Sequence, residues 1–207
     1  MNKKNNTLFQ GRIRDYMLVA VLGTASGMLV ALFLWLPDNS LWDFSCFSSD
    51  TYGFWMFTTA LIVLFSAKRH IAAINAGVYV FFLFLITTVF QSLRLFHAGS
   101  HTPYANVGEM AAESMVGWLW YSIVPAIICA ALGFLLWSAR KNTKFGKLLL
   151  FAPLVFLAVE TGYLLFCVFV YQTKLFSALT DIACIGGYCL IIKRFLTTKR
   201  SGDGEFE

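Results

Sequence analysis

Two carboxylates stand in stretches that are otherwise apolar. Glu160 lies within FLAVETGYLLF and Asp181 within LTDIACIGG. A carboxylate in a lipid-length helix is costly when ionised, so it marks a functional site by default. Three states are open to Glu160. It is protonated and hydrogen-bonded to a neighbouring helix, it faces a cavity holding water or ligand, or it binds a cation. No Lys or Arg lies inside its segment or any other apolar segment to neutralise it. Asp181 has a further option, an ion pair with Arg94 reaching down from the end of another segment. Residues three or four apart share a helix side. Glu160, Tyr163, Cys167 and Tyr171 therefore form one stripe, and Ser177, Asp181, Cys184 and Tyr188 another. If the two segments form an antiparallel hairpin, Glu160 is expected opposite Gly186 and Gly187, with Asp181 one to two turns further out.

Other residue patterns carry less chemistry. GTASG, Gly23 to Gly27, has Ala25 where a nucleophilic serine would stand. No H-E-x-x-H and no phosphate-binding loop is present. Glu109 and Glu113 lack a following basic partner. His97 and His101 are four apart, but Gly99 and Pro103 argue against a regular helix that would hold both imidazoles on one metal. None of the five cysteines forms a C-x-x-C pair; Cys46 falls in a loop and the rest fall in apolar segments, as buried small side chains do. The expectation is a protein that is not an enzyme, with no cofactor and no metal.

The elements that would position these acids follow from composition. Hydrophobic residues make up 58% and charged residues 13% of 207, against roughly 25% charged in soluble domains. Mean hydropathy is +0.69. One soluble core could not hide so much apolar surface, but a bilayer covers it. The reading is an all-α, polytopic integral membrane protein forming a single domain over 1–207. Six spans are expected: Tyr16 to Leu36, Tyr52 to Ser66, Ile71 to Leu93, Ser114 to Ser138, Leu148 to Tyr171, and Leu175 to Ile192. The second is short. In a six-span chain every Lys and Arg except Arg94 and Lys174 falls on one side. The positive-inside rule then places both termini in the cytoplasm of a bacterial cell. The net charge of +5 is a topology signal rather than a nucleic-acid footprint. The first apolar segment is too long for a signal-peptide core and is read as an uncleaved span.

The external connections are the longer ones, and long loops carry function more often. Loop one, PDNSLWDFSCFSSD, sets Trp42, Phe44 and Phe47 among Asp38, Asp43 and Asp50. Its aromatics are either interface anchors or part of a lid over an outward pocket. With Glu160 near the midplane, roughly 16 Å in from Tyr171, the polar residues gather in the outer half of the bundle. Expected ligand contacts are Glu160 and Asp181 for a cationic or hydrogen-bonding group, Gln91 near the outer end of span three, and Trp42, Trp118, Tyr121 and Tyr163 as walls. In span one, Gly23, Gly27 and Ala31 recur every four residues and leave one face nearly bare. Such a face packs either a neighbouring span or another membrane protein.

In its six-span topology, its first external loop and the stripe Gly23, Gly27, Ala31, the chain resembles the S components of energy-coupling-factor transporters. That resemblance implies a small-solute-binding subunit open to the outer side. It also implies docking by the stripe onto a transporter coupling subunit that works with a separate ATPase. Two of the three stripe positions are Gly where that family favours Ala, and no residue pattern points to a substrate. The alternative function is a non-catalytic membrane interaction, assembly or immunity protein.

Overall fold

The computed structural model describes residues 8–37, 39–44, 52–98, 104, 106–141 and 143–203, with side chains as far as Phe195. Six α-helices account for nearly all of it. They are α1 (Ile13–Phe33), α2 (Gly53–Leu64), α3 (Arg69–His97), α4 (Val107–Leu136), α5 (Lys144–Tyr171) and α6 (Leu175–Asp203). A 3₁₀ turn, Trp137–Arg140, extends α4. Five of the helices are long and apolar enough to cross a membrane, and α2 is a shorter apolar helix. Much of the exterior is apolar, with Val21, Leu32, Val116, Trp120, Val159, Phe169 and Leu190 all exposed. Such a surface calls for lipid rather than water. The protein is an all-helical, multi-pass membrane protein.

Local chemistry sets the helix boundaries. The Asp15 carboxylate accepts the backbone N–H groups of Gln10, Gly11 and Arg12 at 2.8, 3.0 and 3.1 Å, closing the entry to α1. Gly11 supplies the positive φ of 85° that this turn needs. Asn106 caps α4 through Glu109 N–H, and Thr143 caps α5 through Gly146 N–H. Gln172 ends α5 in the left-handed conformation and begins the tight turn into α6.

The short α2 is the centre of the bundle. On one side lie α1, α3 and α4; on the other lies the α5–α6 hairpin, and α2 touches α3, α4, α5 and α6. One face of α2 packs Trp55 and Ile62 against Val19, Tyr79 and Leu83. The other packs Ala60 and Leu64 against Leu150, Leu157 and Tyr188. Tyr79 binds this centre together: its hydroxyl meets Ser26 of α1 and Thr58 of α2, each at 2.9 Å.

The stripe on α1 is filled by the chain itself. Gly23, Gly27 and Ala31 are buried. A Cβ added at Gly23 would fall 2.5 Å from the Tyr79 carbonyl oxygen, and one at Gly27 would fall 2.7 Å from that of Leu83. The small residues expected to dock a partner instead let α3 approach α1 backbone to backbone. No partner helix can use that face while α3 occupies it.

At the end of the bundle that carries most Lys and Arg, Ser66 is a junction. Its carbonyl oxygen accepts from Trp137 Nε1 at 3.1 Å and from the Arg140 guanidinium. Its hydroxyl accepts from Asn75 Nδ2 at 3.1 Å. Arg69 lies over the Phe134 ring at 4.9 Å and donates to Ser138. The chain before α1 is tied to the same place, with Leu8 N–H donating to the Phe65 carbonyl and Ala67 N–H to that of Phe9. Asn75, an isolated polar group in the sequence, is thus part of the lock on the exit from α2.

Candidate functional site

A 12-residue helix rises about 18 Å, against about 30 Å of bilayer hydrocarbon. With its end locked at the basic end of the bundle, α2 by itself falls short of a full crossing. A helix start exposes backbone N–H groups that need acceptors. Tyr52, the N-cap of α2, supplies no side-chain acceptor. Glu160 supplies one from α5: Tyr52 N–H donates to its Oε1 at 2.5 Å, and Gly53 N–H also interacts with its carboxyl. The carboxylate therefore does for α2 what an Asp or Ser N-cap does elsewhere, and the helix dipole favours an anion there.

Asp181 approaches the same dipeptide from α6. Its carboxyl group occupies the space where a Gly53 side chain would begin. It is 0% exposed. Among the described residues neither Oδ1 nor Oδ2 has a hydrogen-bond partner, and Glu160 Oε2 is likewise buried without one. Asp181 and Glu160 thus meet the same dipeptide, Tyr52-Gly53, from two helices. Three buried acceptor oxygens beside the start of α2 therefore have no hydrogen-bond donor among the described residues. Leaving even one buried polar group unsatisfied costs about 1–3 kcal/mol, and more for a charged one.

The structure brings Glu160 and Asp181 together and places the other expected ligand residues elsewhere. Tyr163 is exposed and sits under the Lys174 ammonium, 5.4 Å from its ring centroid. Tyr121 and Gln91 face outward. Trp118 donates its indole N–H to Ser92 at 2.9 Å, a tie between α4 and α3. Trp42 stacks on Phe44, with ring centroids 5.9 Å apart. Gly186 has open space about its Cα and Gly187 meets Phe57, so Glu160 finds α2 rather than these glycines. Arg94 makes no hydrogen bond to Asp181. On α6 the expected stripe is buried throughout, at Ser177, Asp181, Cys184 and Tyr188. His97 turns its Nδ1 to the Leu93 carbonyl at 2.8 Å and packs on Trp35. Asp38, Cys46, Phe47, Asp50, Gly99, His101 and Pro103 lie outside the described residues.

Loop one does reach the bundle. Leu175 N–H donates to the Leu41 carbonyl at 3.0 Å. Phe44 packs against Phe33 of α1 and Phe176 of α6, at 6.5 and 5.0 Å, and Phe33 meets Phe176 at 4.7 Å. These rings tie loop one and the end of α1 to the first turn of α6. The residues missed from the sequence are Gly53, with the Tyr52 N–H beside it, and Phe33 and Phe176, on which the loop-one residue Phe44 packs. The available signal was the shortness of span two, which begins at Tyr52-Gly53.

No protein-family model, curated protein or solved structure matches this chain. The functional reading therefore rests on the geometry above.

Proposed function

We propose that this protein is a membrane-embedded solute-binding subunit, in which Asp181 and Glu160 receive a cationic or hydrogen-bond-donating group arriving from the outer side. One observation carries the reading. Asp181 is fully buried and neither of its oxygens has a hydrogen-bond partner among the described residues, although buried carboxylates in folded proteins are normally paired or ligated. Glu160 has a structural duty at α2; Asp181 has none among the described residues, so a ligand is the partner that completes it. The polar outer half of α3 and α4 fits entry from the side opposite the basic end, which the positive-inside rule makes the outer side of a bacterial membrane.

This reading agrees with the resemblance to S components in its binding side and in its use of loop one. It differs in the docking surface, because α3 covers the stripe. A coupling subunit with its own ATPase would have to dock on another face. The rival reading, an interaction or immunity protein acting through the small-residue face of α1, loses that surface for the same reason.

The test is a thermal-shift screen of the purified protein against small cationic and neutral solutes, repeated on Asp181→Asn. A cationic solute should raise the unfolding midpoint of the wild-type protein and leave that of Asp181→Asn unmoved. A hit that shifts both proteins equally places binding away from the carboxyl pair and overturns the reading.

A further inference from the structure

The basic end of the bundle holds a second polar feature, at the entry to α1. The chain there is fixed before the helix begins. Ala67 N–H donates to the Phe9 carbonyl at 2.8 Å, and the Asp15 carboxylate accepts the backbone N–H groups of Gln10, Gly11 and Arg12. The turn so formed borders a cleft of about 210 Å³, lined by Leu8, Gln10, Arg12, Arg14 and Asp15. Arg12 and Arg14 are both exposed. Two cationic side chains therefore face one carboxylate in the lining, and the Asp15 Oδ2 already accepts three N–H groups. The cleft keeps a positive excess.

Apolar surface continues from this cleft. Leu8, in its lining, is 68% exposed. Ile13, between the two arginines in sequence, is 80% exposed, and Met17 and Val21 follow at intervals of four with 64% and 63%. Residues four apart lie on one side of a helix, so these three form an open apolar track along α1. That helix is long and apolar enough to cross a membrane. Its first turn therefore stands at the level of the lipid head groups, with the track running into hydrocarbon.

We propose that the cleft at the entry to α1 binds the phosphodiester of an anionic phospholipid, with Arg12 and Arg14 on the phosphate and an acyl chain along Ile13, Met17 and Val21. A guanidinium presents a planar fork of donors that matches phosphate oxygens. Two arginines on one cleft suit the two unesterified oxygens of a phosphodiester. A soluble phosphate makes no use of the track. A zwitterionic phospholipid carries its own cation, which offsets the attraction of the basic end. An acidic peptide meets the arginines but not a track that lies in hydrocarbon. The assignment is independent of Asp181 and of any solute it receives.

The experiment uses the full-length protein in an uncharged detergent, at neutral pH and constant ionic strength. Dioleoylphosphatidylglycerol and dioleoylphosphatidylcholine are titrated in turn, and bound lipid is counted by native mass spectrometry. Glycerol phosphate, which has the head group without chains, is then added as a competitor. The expected result is occupancy by phosphatidylglycerol at a concentration about tenfold below that needed for phosphatidylcholine, with no displacement by equimolar glycerol phosphate. Arg12→Gln/Arg14→Gln should abolish the preference. Lys144→Gln/Lys147→Gln, which removes the same charge at the same end of the bundle, should retain it. Equal loss in both double variants means a diffuse basic belt and overturns the site. Equal binding of the two lipids overturns the choice of an anionic head group, and displacement by glycerol phosphate overturns the lipid as ligand. If Arg12→Gln/Arg14→Gln fails to fold, Arg14→Gln alone should raise the phosphatidylglycerol concentration about threefold, and an unchanged value overturns the proposal.

Discussion

Glu160 and Asp181 are both acids in apolar helices, yet the structure gives them different work. Glu160 spends one oxygen on the Tyr52 N–H, and a helix starting inside a bilayer cannot do without such an acceptor, because no water is there to supply one. That separates two substitutions at one position. Glu160→Gln keeps a side-chain oxygen of the same reach and should fold with nearly unchanged stability. Glu160→Ala leaves the first N–H groups of α2 unpaired and should lose about 1–3 kcal/mol. The difference is read from midpoints of detergent or denaturant unfolding. Equal loss in both variants would mean that charge, not capping, is what Glu160 contributes. Asp181 has no equivalent duty, so its substitution should act on ligand binding before stability. The sequence showed both residues as out of place and put them on adjacent helices. It did not show the division of labour, because that depends on a backbone N–H from a third helix, and backbone groups leave no trace in residue types.

Among the elements, α2 determines the site by being too short. Its far end is locked by the Ser66 junction with Asn75, Trp137 and Arg140, so α2 by itself falls short of a full crossing. A half-length helix that points its N-terminus at a midplane site is a recurring way to bring a polar group into a membrane without a polar span. Gly53 makes the arrangement possible, since any Cβ there would collide with the Asp181 carboxyl. Gly53→Ala should cost about 1–3 kcal/mol through overpacking and weaken ligand binding. Gly162→Ala, on α5 with nothing within 4 Å of its Cβ position, should be neutral or slightly stabilising, because Ala is the better helix former by about 1 kcal/mol. Paired unfolding curves decide this: a Gly53→Ala protein as stable as Gly162→Ala would mean that Asp181 does not press on α2. The α1 stripe carries a different lesson. Gly23 and Gly27 correctly marked a close helix contact, but a seam of small residues reads the same whether its partner is in the same chain or another.

For the molecule as a whole, hydropathy and charge made the number and approximate limits of the helices legible, because lipid imposes both length and apolar composition. The walls of the site were not legible for a related reason. In a soluble protein an inward aromatic is marked by polar neighbours on the other face. Here lipid covers the outside, so exposed Tyr121 and Tyr163 and the packed rings of Phe44 and Phe176 sit in equally apolar surroundings. Topology is the molecular property that the site most depends on. The start of α1, the end of α2, the end of α4 and the later part of α6 meet at one end, through Phe9 with Ser66, Arg140 with Ser66, and Phe65 with Phe195. The five long helices alone would place the two termini on opposite sides. The end of α2 lies beside the start of α1, so a sixth passage through α2 would set the start of α1 and the later part of α6 on one side of a membrane. Single-cysteine variants in a background with the native cysteines replaced by Ser test this directly. Ser40→Cys, in loop one, should react with a membrane-impermeant maleimide added to intact cells. Lys141→Cys, between α4 and α5, should react only after the membrane is opened. Labelling of both from outside would break the even count, and with it the assignment of the Asp181 site to the outer half of the membrane.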